Sequence, residues 1–186
     1  MTHPFMASVA DGLAKRGVAT LRYQFSSVKR GSKRPDKPVL AQATVRAAVA
    51  EAACRVPSLP LFAGGKSFGC RMTSQAQAEA ALPAVQGLVF LGFPLHPAKK
   101  PSGMRAQHLL GIDIPMLFLE GTRDALADMT LLEVVVEKLG QRTSLFKVDD
   151  ADHAYHVPKR SGRTDAEVLA ATLDKFVRWI AATAHR

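Results

Sequence analysis

The sequence predicts an α/β fold, a mostly parallel sheet of about five recognisable strands with helices on both faces. Three observations predict it. Apolar runs alternate with amphipathic segments along the chain. The runs are apolar throughout rather than at every second position, as in Leu88-Val89-Phe90-Leu91, which suits strands buried on both faces. A chain of 186 residues with 47% hydrophobic and 22% charged side chains suits a single domain, 1–186, with one core, and excludes a largely disordered polypeptide.

The elements follow in order. Phe5, Val9 and Leu13 recur four apart, so 4–16 reads as a helix, with Pro4 in its first turn and Gly17 at its stop. Residues 18–25 read as a strand. A basic Gly/Pro loop follows, with Lys29, Arg30, Lys33, Arg34 and Lys37. The alanine-rich segment 39–56 places Val45, Val49 and Ala53 on one helical side. A short strand at 59–63 ends in Gly64 and Gly65, and 67–81 is helical in composition. The next strand is 87–93. A loop with Pro94, Pro97 and Pro101 and a short helix lead to a strand at 115–119. A helix at 131–139 stops at Gly140, and 143–148 is a strand. The last helix opens on a capping box, Thr164 with Glu167, and turns Val168, Leu173 and Phe176 to the core.

Composition excludes several classes. No apolar stretch approaches the ~18–20 residues of a transmembrane helix, and the first fifteen residues lack an apolar signal core. Cys54 and Cys70 are too few for a disulfide framework or a four-cysteine zinc site. A cytoplasmic protein without cofactor is expected. The net charge of +9 raises the question of nucleic acid. The excess sits in the 29–37 run and in Lys159, Arg160 and Arg163, both read as solvated loops, and no helix-turn-helix, RNP or zinc-finger pattern accompanies it. The expected partner is a small-molecule substrate, with neither nucleic acid nor membrane.

In parallel sheets ligands bind beyond the carboxyl ends of the strands, so the chemistry is sought there. Gly65-Lys66-Ser67-Phe68-Gly69, a G-x-S-x-G pattern, follows the strand at 59–63 at its junction with a helix. A serine on so tight a turn is held strained with its hydroxyl exposed, and flanking glycines leave room for the turn. The Phe68 N–H would face a developing oxyanion, aided by the helix N-terminus. Glu120-Gly121-Thr122-Arg123-Asp124 follows the strand at 115–119, and Asp149-Asp150-Ala151-Asp152-His153 follows the strand at 143–148. The order Ser67, Asp124, His153 is that of a Ser-Asp-His hydrolase triad on an α/β sheet.

Each residue has competitors. Ser67 also suits a helix N-cap. A P-loop needs glycine where Pro60 stands, so that reading fails. Asp128 competes with Asp124, whereas Asp113 precedes its strand. His156 competes with His153. The Asp/His cluster at 149–156 lies in one loop and reads as a solvated turn, so no metal is expected. Lys66, His96, His156 and Lys159 are candidate pocket groups; Lys159 and Arg160 would attract an anionic substrate. Cys70 reads as a packing residue.

These motifs resemble those of the α/β-hydrolase superfamily, near its dienelactone-hydrolase-like branch. More narrowly, the chain is similar to small bacterial hydrolases related to a subunit of a eukaryotic histone acetyltransferase complex. The resemblance is carried by His3-Pro4-Phe5-Met6, Gly64 to Gly69 with Arg71-Met72, Leu91-Gly92-Phe93-Pro94-Leu95-His96-Pro97, Gly121-Thr122-Arg123-Asp124, Ala151-Asp152-His153 and His156-Val157-Pro158-Lys159. It implies nucleophile Ser67, acid Asp124, base His153, and hydrolysis of an ester or thioester. The other reading is a catalytically weak or inactive hydrolase-fold binding protein. The resemblance also implies an N-terminal truncation, for which a late start is favoured over a decayed copy of the gene or direct pairing of the flanking strands. The missing pieces are a His-Gly-x-Gly loop, which donates the second oxyanion N–H, and a strand between 18–25 and 59–63. With that strand absent, the two flanking segments would either pair directly or leave a gap. An open edge there would favour a homo-oligomer.

Overall fold

The computed structural model describes residues 3–32 and 34–184. Four strands, β1 (Leu61–Lys66), β2 (Val85–Leu91), β3 (Met116–Gly121) and β4 (Thr143–Val148), form a parallel sheet in the order β1-β2-β3-β4. The helices are α1 (Pro4–Ala14), the single turn α2 (Ser26–Lys29), α3 (Pro38–Arg55), α4 (Phe68–Glu79), α5 (Met129–Leu139) and α6 (Asp165–Ala184). The short helix expected before β3 is a 3₁₀ stretch, Met104–Gly111.

The continuous apolar runs have the cause inferred for them. Side chains alternate across a strand, so Leu88 and Phe90 of β2 pack on Ala41, Val45, Met72 and Leu132 from α3, α4 and α5. Val89 and Leu91 pack instead on Val9, Leu13, Val168 and Leu173 from α1 and α6. A strand covered on both faces takes apolar side chains at most positions, and the polar Gln86 of β2 is exposed near the strand's start. The sharp end of α6 is the expected capping box. The Glu167 N–H donates to Thr164 Oγ1 at 3.2 Å, and the Thr164 N–H donates to Glu167 Oε2 at 2.7 Å.

The strand expected at 18–25 is not formed, so the described sheet has four strands rather than five. Nor does this segment pair directly with β1. A cavity of about 820 Å³ is lined by Ala19, Leu21 and Tyr23 of the segment and by Leu61, Phe62 and Gly64 of β1. Val49 of α3 and Ile180 of α6 also line it, one from each helical layer. A ladder needs its neighbour about 4.8 Å away, and this space intervenes. The burial of β1 reflects it: all six of its residues are only half-buried, whereas every residue of β3 is buried.

The basic run, expected as a loop, begins at Lys29 in the last turn of α2 and continues as a loop to α3; its Lys33 lies outside the described residues. It is organised by the buried carboxylate of Asp36, which accepts from the Ser27 N–H and the Arg30 guanidinium, both at 2.8 Å. Those donors hold Asp36 below the ordinary carboxylate range, led by the Ser27 N–H and opposed by burial. Among the described residues no helix is long and apolar enough to cross a membrane.

Candidate active site

β1 delivers the chain into the G-x-S-x-G turn, and α4 leaves it at Phe68. Ser67 sits between them at φ 53 and ψ −113, a conformation that L residues rarely adopt. Holding it costs about 1–3 kcal/mol, which the surrounding packing must supply. The Ser67 N–H donates to the Leu91 carbonyl at 3.3 Å, tying the turn to β2. Gly65 is required by close approach. A Cβ there would lie 2.9 Å from the Gly69 carbonyl carbon and 3.2 Å from the Cys70 nitrogen, both backbone. Gly69 is different, since a Cβ on it meets nothing within 4 Å. Gly65→Ala should therefore displace the turn. The expected result is a loss of about 1–3 kcal/mol in urea unfolding, with Gly69→Ala much milder.

Two loops meet above the sheet. Beyond β3, the Thr122 N–H donates to Val148 O at 3.1 Å and the Arg123 N–H to Ala151 O at 2.9 Å. These bonds lock the loop carrying Asp124 to the loop carrying His153. His153 Nδ1 lies 2.5 Å from Asp124 Oδ2, and His153 Nε2 lies 2.9 Å from Ser67 Oγ. An ionised carboxylate only accepts, so the Asp124 contact places the ring proton on Nδ1 and leaves Nε2 to accept from the serine hydroxyl. The Asp124 side chain is fully buried and that of His153 is 28% exposed, so the imidazole reaches solvent and the carboxylate does not. Burial alone would raise the Asp124 pKa; hydrogen bonds from His153, Glu120 and the Leu126 N–H reverse this and hold it below the ordinary value. Phe68 opens α4, so its N–H belongs to the first-turn amides that have no acceptor within the helix.

The competitors are placed elsewhere. Asp128 caps α5, accepting from the Leu131 N–H at 3.0 Å. His156 is exposed and pairs with Asp165 at 2.9 Å, which raises its pKa. Asp113 is exposed.

Three of the four candidate pocket groups have other work, and the fourth is exposed. His96 is 3% exposed with both ring nitrogens engaged: Nε2 accepts from the Asp128 N–H and Nδ1 donates to Pro97 O, each at 2.9 Å. It straps two loops together. His156 is held by Asp165, and Lys159 is exposed on a 3₁₀ turn, Lys159–Ser161. Lys66 is part of the scaffold. Its ammonium donates to the His153 carbonyl and lies 5.2 Å over the Phe5 ring and 4.9 Å over the Tyr155 ring. Burial lowers its pKa, opposed by the nearby acids. The cation on the residue before the serine thus anchors the backbone of the histidine.

Cys70 packs beneath the turn with Sγ 3.0 Å from Gly65 O, and burial pushes its thiol up. Among the described residues no group of three His, Cys, Asp or Glu side chains is arranged to hold a metal ion.

The sequence matches the profile of the alpha/beta hydrolase domain over residues 1–181. The chain belongs to the alpha/beta hydrolase family. Solved structures share the fold. This hydrolase resembles an a/b serine hydrolase without lid from Xanthomonas campestris, at 23% identity and TM-score 0.72, over 96% of this chain and 75% of that one. A serine hydrolase homologue from Coxiella burnetii is similar at 18% identity and TM-score 0.71, over 92% and 75% of the two chains. The esterase domain of a Rhodothermus marinus protein is similar at 15% identity and TM-score 0.68, over 95% and 79%.

One group near the hydrolase's Ser-His-Asp cluster was not singled out from the sequence. Glu120, the penultimate residue of β3, is wholly buried beside Asp124. A carboxylate ending an otherwise apolar, fully buried strand was the available signal.

Proposed function

We propose that this hydrolase cleaves esters or thioesters of small acyl groups through the triad Ser67, His153 and Asp124. The observation that carries the reading is the continuous relay from Ser67 Oγ to His153 Nε2 and from Nδ1 to Asp124. His153 takes the serine proton as Oγ attacks the acyl carbon. Asp124 keeps the imidazole in the tautomer whose Nε2 can accept and stabilises the imidazolium. The Phe68 N–H donates to the oxyanion from the positive end of α4. His153 then returns the proton to the leaving alcohol or thiol, and water attacks the acyl-enzyme by the reverse sequence. Esters and thioesters are favoured over amides because their leaving groups need less protonation. Likeness to proteins described as serine hydrolases and as an esterase supports the class.

The test is intact-mass labelling with a fluorophosphonate, beside Ser67→Ala. One adduct on the native chain, absent in the variant, is expected. No adduct on folded protein would remove the catalytic reading and leave the binding-protein reading in its place.

A further inference from the structure

Behind Asp124 lies a second carboxyl that the relay does not use. Glu120 is 0% exposed, and its Oε2 accepts from the Phe93 N–H at 2.7 Å. Its Oε1 is buried without a donor among the described residues. The Asp124 side chain, four residues on, is also fully buried, and each carboxyl bears on the other's titration. Two neighbouring carboxyl groups in a dry site do not both ionise, and the proton they hold bonds one to the other.

The geometry decides which of them holds it. Asp124 already accepts from His153 on Oδ2 and from the Leu126 N–H on Oδ1 at 2.7 Å. Glu120 accepts a single backbone N–H, and its other oxygen needs a partner. A proton on Glu120 turns one of its oxygens into a donor, for which Asp124 is the neighbouring acceptor, and gives the triad's acid a third donor.

The remaining groups that face Glu120 do not neutralise it. Cys70 from α4 and Tyr155 from the loop after β4 are both held neutral by burial. The Tyr155 hydroxyl is committed to the Leu119 carbonyl at 2.7 Å. Lys66 is the cation on this side among the described residues, and its ammonium is bound at the His153 carbonyl between two rings.

We propose that Glu120 is a positioning residue that carries a proton near neutral pH and donates it in a hydrogen bond to Asp124, so that the triad's acid stays ionised and fixed. The proposal rests on the triad reading for its catalytic meaning, though not for the carboxyl pair itself. The pair agrees with the direction in which Glu120 titrates: burial first, then the bond to Asp124 and its charge, hold Glu120 well above the usual glutamate range.

The experiment compares Glu120→Gln, which keeps a donor on the same frame, with Glu120→Leu, which removes it. Infrared difference spectra near neutral pH should show the carbonyl band of a protonated carboxyl in the native chain and not in Glu120→Gln. A group with a raised folded pKa binds more protons folded than unfolded, so its contribution to stability falls as pH rises past its unfolded value. The stability of Glu120→Gln relative to the native chain should therefore climb with pH above the ordinary glutamate value of 4.5. In kinetics, Glu120→Gln should leave the acidic limb of the kcat/KM profile in place, and Glu120→Leu should lower kcat/KM about 10-fold or more.

No such band, a pH-independent stability difference, or an acidic limb moved down by a unit in Glu120→Gln would show an ionised Glu120 and overturn the proposal. The spectra and the stability curves need no turnover. A chain that is inert to fluorophosphonate yet shows the band keeps the carboxyl pair and loses the triad. An active chain without the band keeps the triad and loses the pair.

Discussion

Ser67→Ala is expected to lower kcat/KM on a good small ester by about 10⁶-fold, the loss typical of removing the nucleophile from an assembled triad. The size follows from cooperation. Once no Oγ is present, His153 and Asp124 have nothing to activate, so their contributions disappear with the serine's. The residual rate comes from binding and the oxyanion donor. The fold should stay within about 1 kcal/mol of the native chain, since alanine adds no atom to the turn and removes only an outward hydroxyl. Steady-state hydrolysis with a urea unfolding curve on the same preparation separates the two effects. Activity within tenfold of the native chain would mean that Ser67 is not the nucleophile.

Asp124→Asn should cost about 10⁴-fold in kcat with little change in KM. Asparagine preserves the shape, but its amide can donate to Nδ1, which then loses its proton to Nε2 and leaves no acceptor for the serine. The variant also carries a stability signature. Asp124 has a folded pKa below its ordinary value of 3.8, so its ionised form strengthens the native state above that value. The advantage disappears as pH falls from 3.8 through the lower folded pKa. Native chain and variant should therefore differ at neutral pH and converge in acid, as followed by thermal unfolding. A gap that widens in acid would contradict an ionised, hydrogen-bonded Asp124.

Much of this was legible because the relevant physics is local. The G-x-S-x-G turn follows a short apolar run and precedes an amphipathic segment, and that order alone implies an exposed serine at a sheet's carboxyl edge. Asp124 and His153, singled out because they lie past the ends of the next strands, are brought together with Ser67. The Thr164–Glu167 cap lies within one turn and formed as read.

The misses are non-local. Residues 18–25 are apolar enough for a strand, but a strand exists only through its neighbour, and the neighbouring space is empty. His96 looked like a pocket group because its position after a strand was visible, whereas the Asp128 N–H that occupies its ring is 32 residues away. Glu120 is read correctly only when burial and the approach of Asp124 are both known.

The half-buried β1 also has an expected consequence on heating. Ser67 rides on a strand laddered on one side, with a void on the other, whereas Asp124 rides on β3, held between two strands. Warming loosens the less supported element first. The hydroxyl then drifts out of reach of an imidazole that still stands in its place, while most helices and the inner strands persist. With Ser67 as the nucleophile proposed above, turnover is expected to fail at a lower temperature than the helical signal of the backbone, and coincident loss of the two on heating would contradict this.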